Sequence, residues 1–80
     1  MKTINISDIR IDGGTQGRDV INQEVVHQYV ECMREGDKFP LLLTVYDGTV
    51  HWLVDGFHRY FAYMQIGTKE VGVEIGRAHV

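Results

Sequence analysis

The feature that most restricts this chain is a pair of β-prone runs, residues 41–46 and 49–54, with only Asp47-Gly48 between them. Leu-Leu-Leu-Thr-Val-Tyr and Thr-Val-His-Trp-Leu-Val are built of residues that suit a pleated surface. Asp-Gly between such runs is a strong two-residue turn signal, because both central positions need positive φ. The pattern predicts a tight antiparallel hairpin. Leu41, Leu43 and Val45 are expected to share one face with Val50, Trp52 and Val54.

The other elements emerge from periodicity and punctuation. Ile4, Ile6, Ile9 and Ile11 nearly alternate, with one slip at Ser7-Asp8. This predicts a short strand, a kink and a second extended piece. Gly13-Gly14 breaks regular structure, and the polar residues 15–19 form a loop. A helix is expected from near Asn22, which can cap its first turn. Val25, Val26, Tyr29, Val30 and Met33 make its apolar stripe, and Glu24, His27, Gln28, Glu31 and Arg34 its wet side. Gly36 closes it in a left-handed cap, and Pro40 prevents continuation. The hairpin feeds a second helix over about 57–66, stopped by Gly67, and residues 71–75 form a last strand. The predicted class is α+β: a small mixed sheet with a central hairpin packed against two helices.

Eighty residues allow one domain with a small core, which leaves room for dimerisation. A hydrophobic fraction of 44% and a charged fraction of 24% are those of an ordinary globular protein. No apolar run approaches the roughly 18–20 residues of a membrane span, and a cytoplasmic location is the default. A net charge of −3 argues against gripping nucleic acid by bulk electrostatics. The single cysteine, Cys32, has no partner for a disulfide or a Cys-x-x-Cys metal site, and reads as a buried structural thiol. Glu24, Glu31 and Glu35 read as a solvated face, so no metal site is assigned. Trp52, Tyr46 and Tyr60 are candidates for stacking on a base, with a core role as the ordinary alternative.

The junction Asp55-Gly56-Phe57-His58-Arg59 carries the chemistry. A strand that turns through Gly56 into a helix presents backbone amides that lack an intrahelical partner, at the positive end of the helix dipole. An anion there gains hydrogen bonds and electrostatic attraction together. Gly56 permits close approach of a phosphate, Arg59 supplies a planar multi-donor cation, and His58 adds a donor. On these five residues alone a second reading stands: Asp55 caps the helix, Gly56 eases the turn and Arg59 lies in solvent.

Gly56-Phe57-His58-Arg59 with Ala62 resembles the Gly-x-x-Arg element that opens a helix in the ParB/sulfiredoxin superfamily. Gly56, His58, Arg59, Tyr60, Ala62 and Tyr63 are also consistent with the Gly-Cys-His-Arg-Tyr stretch of sulfiredoxins. Gln16-Gly17-Arg18 resembles the Gln-Pro-Arg segment before the first helix of ParB domains, with glycine in place of proline. The resemblance covers nearly the whole chain, to about Val73. It implies a nucleotide site, for CTP or ATP with Mg2+, in which Gly56, Phe57, His58 and Arg59 contact phosphate. Arg18 would reach the same phosphates from its loop.

Phe57 stands where sulfiredoxins carry the nucleophilic cysteine, so sulfinic-acid reductase chemistry is excluded. A phosphotransferase acting with ATP or ADP, like the free-serine kinases of the superfamily, stays open. There Asp55 would be the catalytic base or a magnesium ligand, and helix capping is its competing role. A ParB-like module would link the nucleotide to DNA partitioning, regulation or phage and plasmid DNA metabolism. The helix-turn-helix that reads DNA in ParB is missing from these residues, so DNA would be engaged indirectly or through a further domain. An interaction module with a vestigial site is the remaining alternative. Residues 74–80, Glu-Ile-Gly-Arg-Ala-His-Val, match one reading frame of a common sequencing adaptor. The domain is therefore placed at 1–73. The tail is either native or foreign, in which case the natural gene continues past about Val73. No function is assigned to Arg77 or His79.

Overall fold

The computed structural model describes residues 2–12 and 21–77. The isoleucine pattern of the N-terminus resolves as expected into strand β1 (Lys2–Asn5), a 3-10 turn (Ile6–Asp8) and strand β2 (Ile9–Arg10). Helix α1 spans Gln23–Arg34 and α2 spans Phe57–Gln65. Strands β3 (Leu42–Tyr46) and β4 (His51–Asp55) form the hairpin, and β5 covers Glu70–Arg77. The sheet order is β1-β5-β3-β4-β2, with β1–β5 and β3–β4 antiparallel and β3–β5 and β2–β4 parallel. The mixed sheet with a central hairpin and two helices is the predicted α+β class. Glu74, Ile75, Gly76 and Arg77 pair with Leu43 through Tyr46 of β3.

Both helices end as their glycines require. At α1 the Asp37 amide donates to the Cys32 carbonyl and the Gly36 amide to that of Met33. At α2 Thr68 donates to Tyr63 and Gly67 to Met64, the same paired bonding of orphan carbonyls. The Asn22 side chain caps α1 by accepting from the Glu24 amide at 2.9 Å and the Val25 amide at 3.4 Å.

The layers are sheet, α2 and then α1. Ile4, Ile9, Leu42, Leu53, Val71 and Val73 of the sheet bury together with Ile6 and with Tyr60 of α2. Val26 and Val30 of α1 bury against Ala62 on the other side of α2. Phe61 packs against both clusters and joins them.

Three expectations are corrected. The hairpin turns on Gly48-Thr49 rather than Asp47-Gly48: Tyr46 pairs with His51, and the Asp47 amide donates to the Val50 carbonyl. Gly48 has φ +100°, whereas Asp47 does not take positive φ. Instead its carboxylate accepts from the amides of Thr49 and Val50 and from Trp52 Nε1, each at 2.8 Å, and organises the loop itself. Second, the buried face of the hairpin is Leu42, Thr44 and Leu53. Val45 and Trp52 do pair, but on the half-exposed face, where Arg10 lies 5.7 Å from the Trp52 ring centre. A run as uniformly apolar as residues 41–45 has no period that selects a side, so the choice belongs to packing. Third, Cys32 is half-exposed rather than buried. Its thiol is pushed up by desolvation, then by its hydrogen bond to Asp37 and by the charges of Asp37, Glu35 and Glu31, which disfavours the thiolate.

The loop carboxylate gives an acid-dependent prediction. Donation from Trp52, then from the amides of Val50 and Thr49, holds Asp47 down at about 2, against roughly 3.9 in an unfolded chain. Stability from these bonds is complete above about pH 4 and drains away as pH falls towards 2. Asp47→Asn is expected to lower the melting temperature near neutrality and to flatten its decline over that acid window. An unchanged acid profile would show that the loop contributes nothing to stability.

Candidate functional site

The site begins at an irregularity in β4. Leu43 pairs with Asp55 while Thr44 pairs with Leu53, so Val54 is an extra residue, a bulge one step before the helix junction. A bulge bends and twists its strand locally and re-aims the residues beyond it. Gly56 then adopts φ +98° and ψ 28°, a left-handed conformation that turns the chain into α2. The first helical bond runs from the Tyr60 amide to the Gly56 carbonyl at 2.8 Å.

Among the described residues no side chain caps this helix, Asp55 included. The Asp55 side chain is 76% exposed and reaches Arg59 Nη2 only at 3.9 Å. Among the described residues the amides of Phe57, His58 and Arg59 meet no acceptor. Three adjacent N–H groups at the positive end of a helix, with no acid in the first turn, are the kind of arrangement that can take an anion.

Arg59 completes it. Its side chain is only 16% exposed and folds back over the junction. A Cβ placed on Gly56 would lie 2.7 Å from Nη2 and 3.0 Å from Nε. The Nε is buried and, among the described residues, has no hydrogen-bond partner. A buried donor without an acceptor costs free energy, and an anion at the neighbouring amides would relieve it.

His58 is used differently from the expectation. Its Nε2 accepts the backbone amide of Asn22 at 3.1 Å, so this nitrogen is tied to the start of α1 and is not a phosphate donor. The ring's remaining nitrogen is the one that can donate. His58→Ala is expected to speed hydrogen exchange at the Asn22 amide and to cost about 0.5–1.5 kcal/mol of stability. It should weaken anion binding much less than loss of Arg59 does. A binding loss equal to that of Arg59 would restore His58 as a direct ligand.

These groups share a cleft of about 340 Å³ lined by Asp55, Gly56, Phe57, His58, Arg59 and Tyr29. The fold thus brings together five of the six residues singled out in the sequence. Arg18 lies outside the described residues. Tyr29 was missed because its helical spacing placed it in the apolar stripe, and its half-exposure shows only in the fold. The Phe57 side chain packs against the sheet core, leaving its backbone as its contribution to the cleft. None of the three aromatics put forward for base stacking lines it. Tyr60 is buried, while Tyr46 stacks on His51 at 4.5 Å and Trp52 bonds to Asp47 in the hairpin. Among the described residues no group of three or more His, Cys, Asp or Glu could hold a metal, and no helix is long and apolar enough to cross a membrane.

No family model and no curated protein sequence matches the chain. Solved structures match its fold. Sulfiredoxin from Arabidopsis thaliana superposes with a TM-score of 0.80 at 15% identity, over 98% of this chain and 88% of that one. The C-terminally truncated chromosome-partitioning protein ParB from Caulobacter crescentus, solved with CTP-γ-S, gives 0.80 at 17%, over 98% and 44%. A conserved hypothetical protein from Pyrococcus furiosus gives 0.76 at 19%, over 95% and 32%. The chain therefore spans less than half of the last two.

Proposed function

From a chain whose fold is ParB/sulfiredoxin-like, we propose that the cleft at the start of α2 binds the phosphates of a nucleoside triphosphate, CTP or ATP. The observation that carries this is the coincidence of two unmet needs in one cleft. Among the described residues three first-turn amides lack acceptors, and the buried Nε of Arg59 lacks one beside them. Phosphate oxygens answer both, and Gly56 keeps the approach free of a side chain. Asp55, exposed at the rim, is the carboxylate available to Mg2+. That ion takes one or two carboxylates and otherwise keeps water and phosphate oxygens. The ion would neutralise phosphate charge. The module would use nucleotide binding in a DNA-related task of the ParB kind, with DNA engaged indirectly or through a further domain.

One observation favours a second reading, a small phosphotransferase. Asp55 is free of the capping role and stands exposed beside the phosphates' position, where it can accept a proton from an incoming hydroxyl. The experiment is calorimetric titration with CTP, ATP, ADP and GTP, with and without Mg2+, and then an assay for phosphoserine. Magnesium-dependent triphosphate binding without transfer is the expected result. Phosphoserine formed from ADP or ATP would replace it with the second reading, and no binding of any nucleotide or phosphate would remove both.

A further inference from the structure

Tyr29 is the one cleft residue that the phosphate site does not use. It comes from α1, while every other lining residue comes from the β4–α2 junction. Its ring is held on two sides: Phe39 packs tilted against it at 5.1 Å, and His58 meets it edge-on at 6.4 Å. His58 is in turn anchored by the Asn22 amide. The ring is therefore a half-exposed aromatic wall packed against two neighbours.

Resting on the phosphate-site reading, we infer that Tyr29 is the stacking platform for the base of the bound nucleotide, and that the platform accepts any base. A cleft with an anion cradle at one wall and an aromatic ring at another fits a ligand with a charged end and a flat apolar end. Recognition at the ring is tolerant because every base has a π-face. Phe39 offers only carbon, and the His58 nitrogen that could accept from a base is already bonded to Asn22. Beside the ring, among the described cleft residues, the one polar side chain is His58, whose remaining nitrogen is a single donor. Every base edge carries an acceptor for it, so it does not choose among bases, and Asp55 and Arg59 lie at the phosphate end.

The test separates ring from phosphates by using inorganic tripolyphosphate as a baseless probe beside CTP, ATP, GTP and UTP. All four nucleotides are expected to bind within about threefold of one another and about tenfold tighter than tripolyphosphate. Tyr29→Leu, which keeps apolar contact with Phe39, should erase that tenfold difference and leave tripolyphosphate affinity unchanged. Tyr29→Phe should preserve the difference. If Tyr29→Leu weakens tripolyphosphate as much as nucleotide, or weakens neither, the tyrosine is structural and the inference falls. One nucleotide preferred tenfold over the rest would overturn base tolerance. Tripolyphosphate and nucleotides all failing to bind would overturn the phosphate site itself, and the inference with it.

Discussion

Arg59→Met is expected to weaken phosphate binding by about one to two orders of magnitude while leaving the fold as stable as before, or more so. The two halves of this result have one cause. The guanidinium is largely buried and, among the described residues, its Nε has no partner and its nearest carboxylate is an exposed Asp55 at 3.9 Å. An ion pair that long, with one member in water, contributes little. The desolvated donor is a cost carried by the empty protein. Methionine fills a similar volume without it. Bound phosphate loses charge-assisted hydrogen bonds worth about 1.5–3 kcal/mol, a drop of roughly 10- to 150-fold in affinity. A melting temperature lower by many degrees would instead make Arg59 a structural residue.

Gly56→Ala should be the most damaging small substitution in the chain. Its left-handed backbone, φ +98°, costs a side chain about 1–2 kcal/mol. The added methyl would sit 2.7 Å from both Arg59 Nη2 and Leu42 Cδ2, and overpacking of that kind costs about 1–3 kcal/mol more. Leu42 is fully buried, so it cannot retreat cheaply. A domain this small has only some 4–12 kcal/mol in total, and each kcal/mol is worth roughly 4–8 °C. Gly36→Ala is the internal control, because Gly36 has φ +91° and nothing within 4 Å. Thermal melts of the two variants isolate the steric part. Equal losses would show that only backbone strain matters at Gly56.

Much of this was legible locally. The isoleucine slip at Ser7-Asp8 marked the 3-10 turn, Asn22 marked the α1 cap, and Gly36 and Gly67 marked both helix ends. The junction from Asp55 to Arg59 was legible as a glycine turn into a helix, because a helix N-terminus after such a turn has open amides wherever it occurs. The hairpin was read with the right pair of strands but the wrong turn. Asp47 satisfies the loop amides through its carboxylate rather than by taking positive φ, and a dipeptide signal does not distinguish the two. Likewise, nothing local tells Asp55 from a capping aspartate. The Val54 bulge and the left-handed Gly56 decide where its carboxylate goes.

The order of elements, their ends and the five-residue junction are set by the chain alone, since each depends on neighbours within about one turn or one hairpin. Three features came only with the packed fold: the buried face of the hairpin, the position of Tyr29 across from the helix terminus, and the tie between His58 and Asn22. These depend on sheet register and on which helix lies over the sheet, and both are fixed by the packing of residues distant in the chain. The open amides of the junction were written in its residues; the aromatic wall of Tyr29 exists only once α1 and α2 lie side by side.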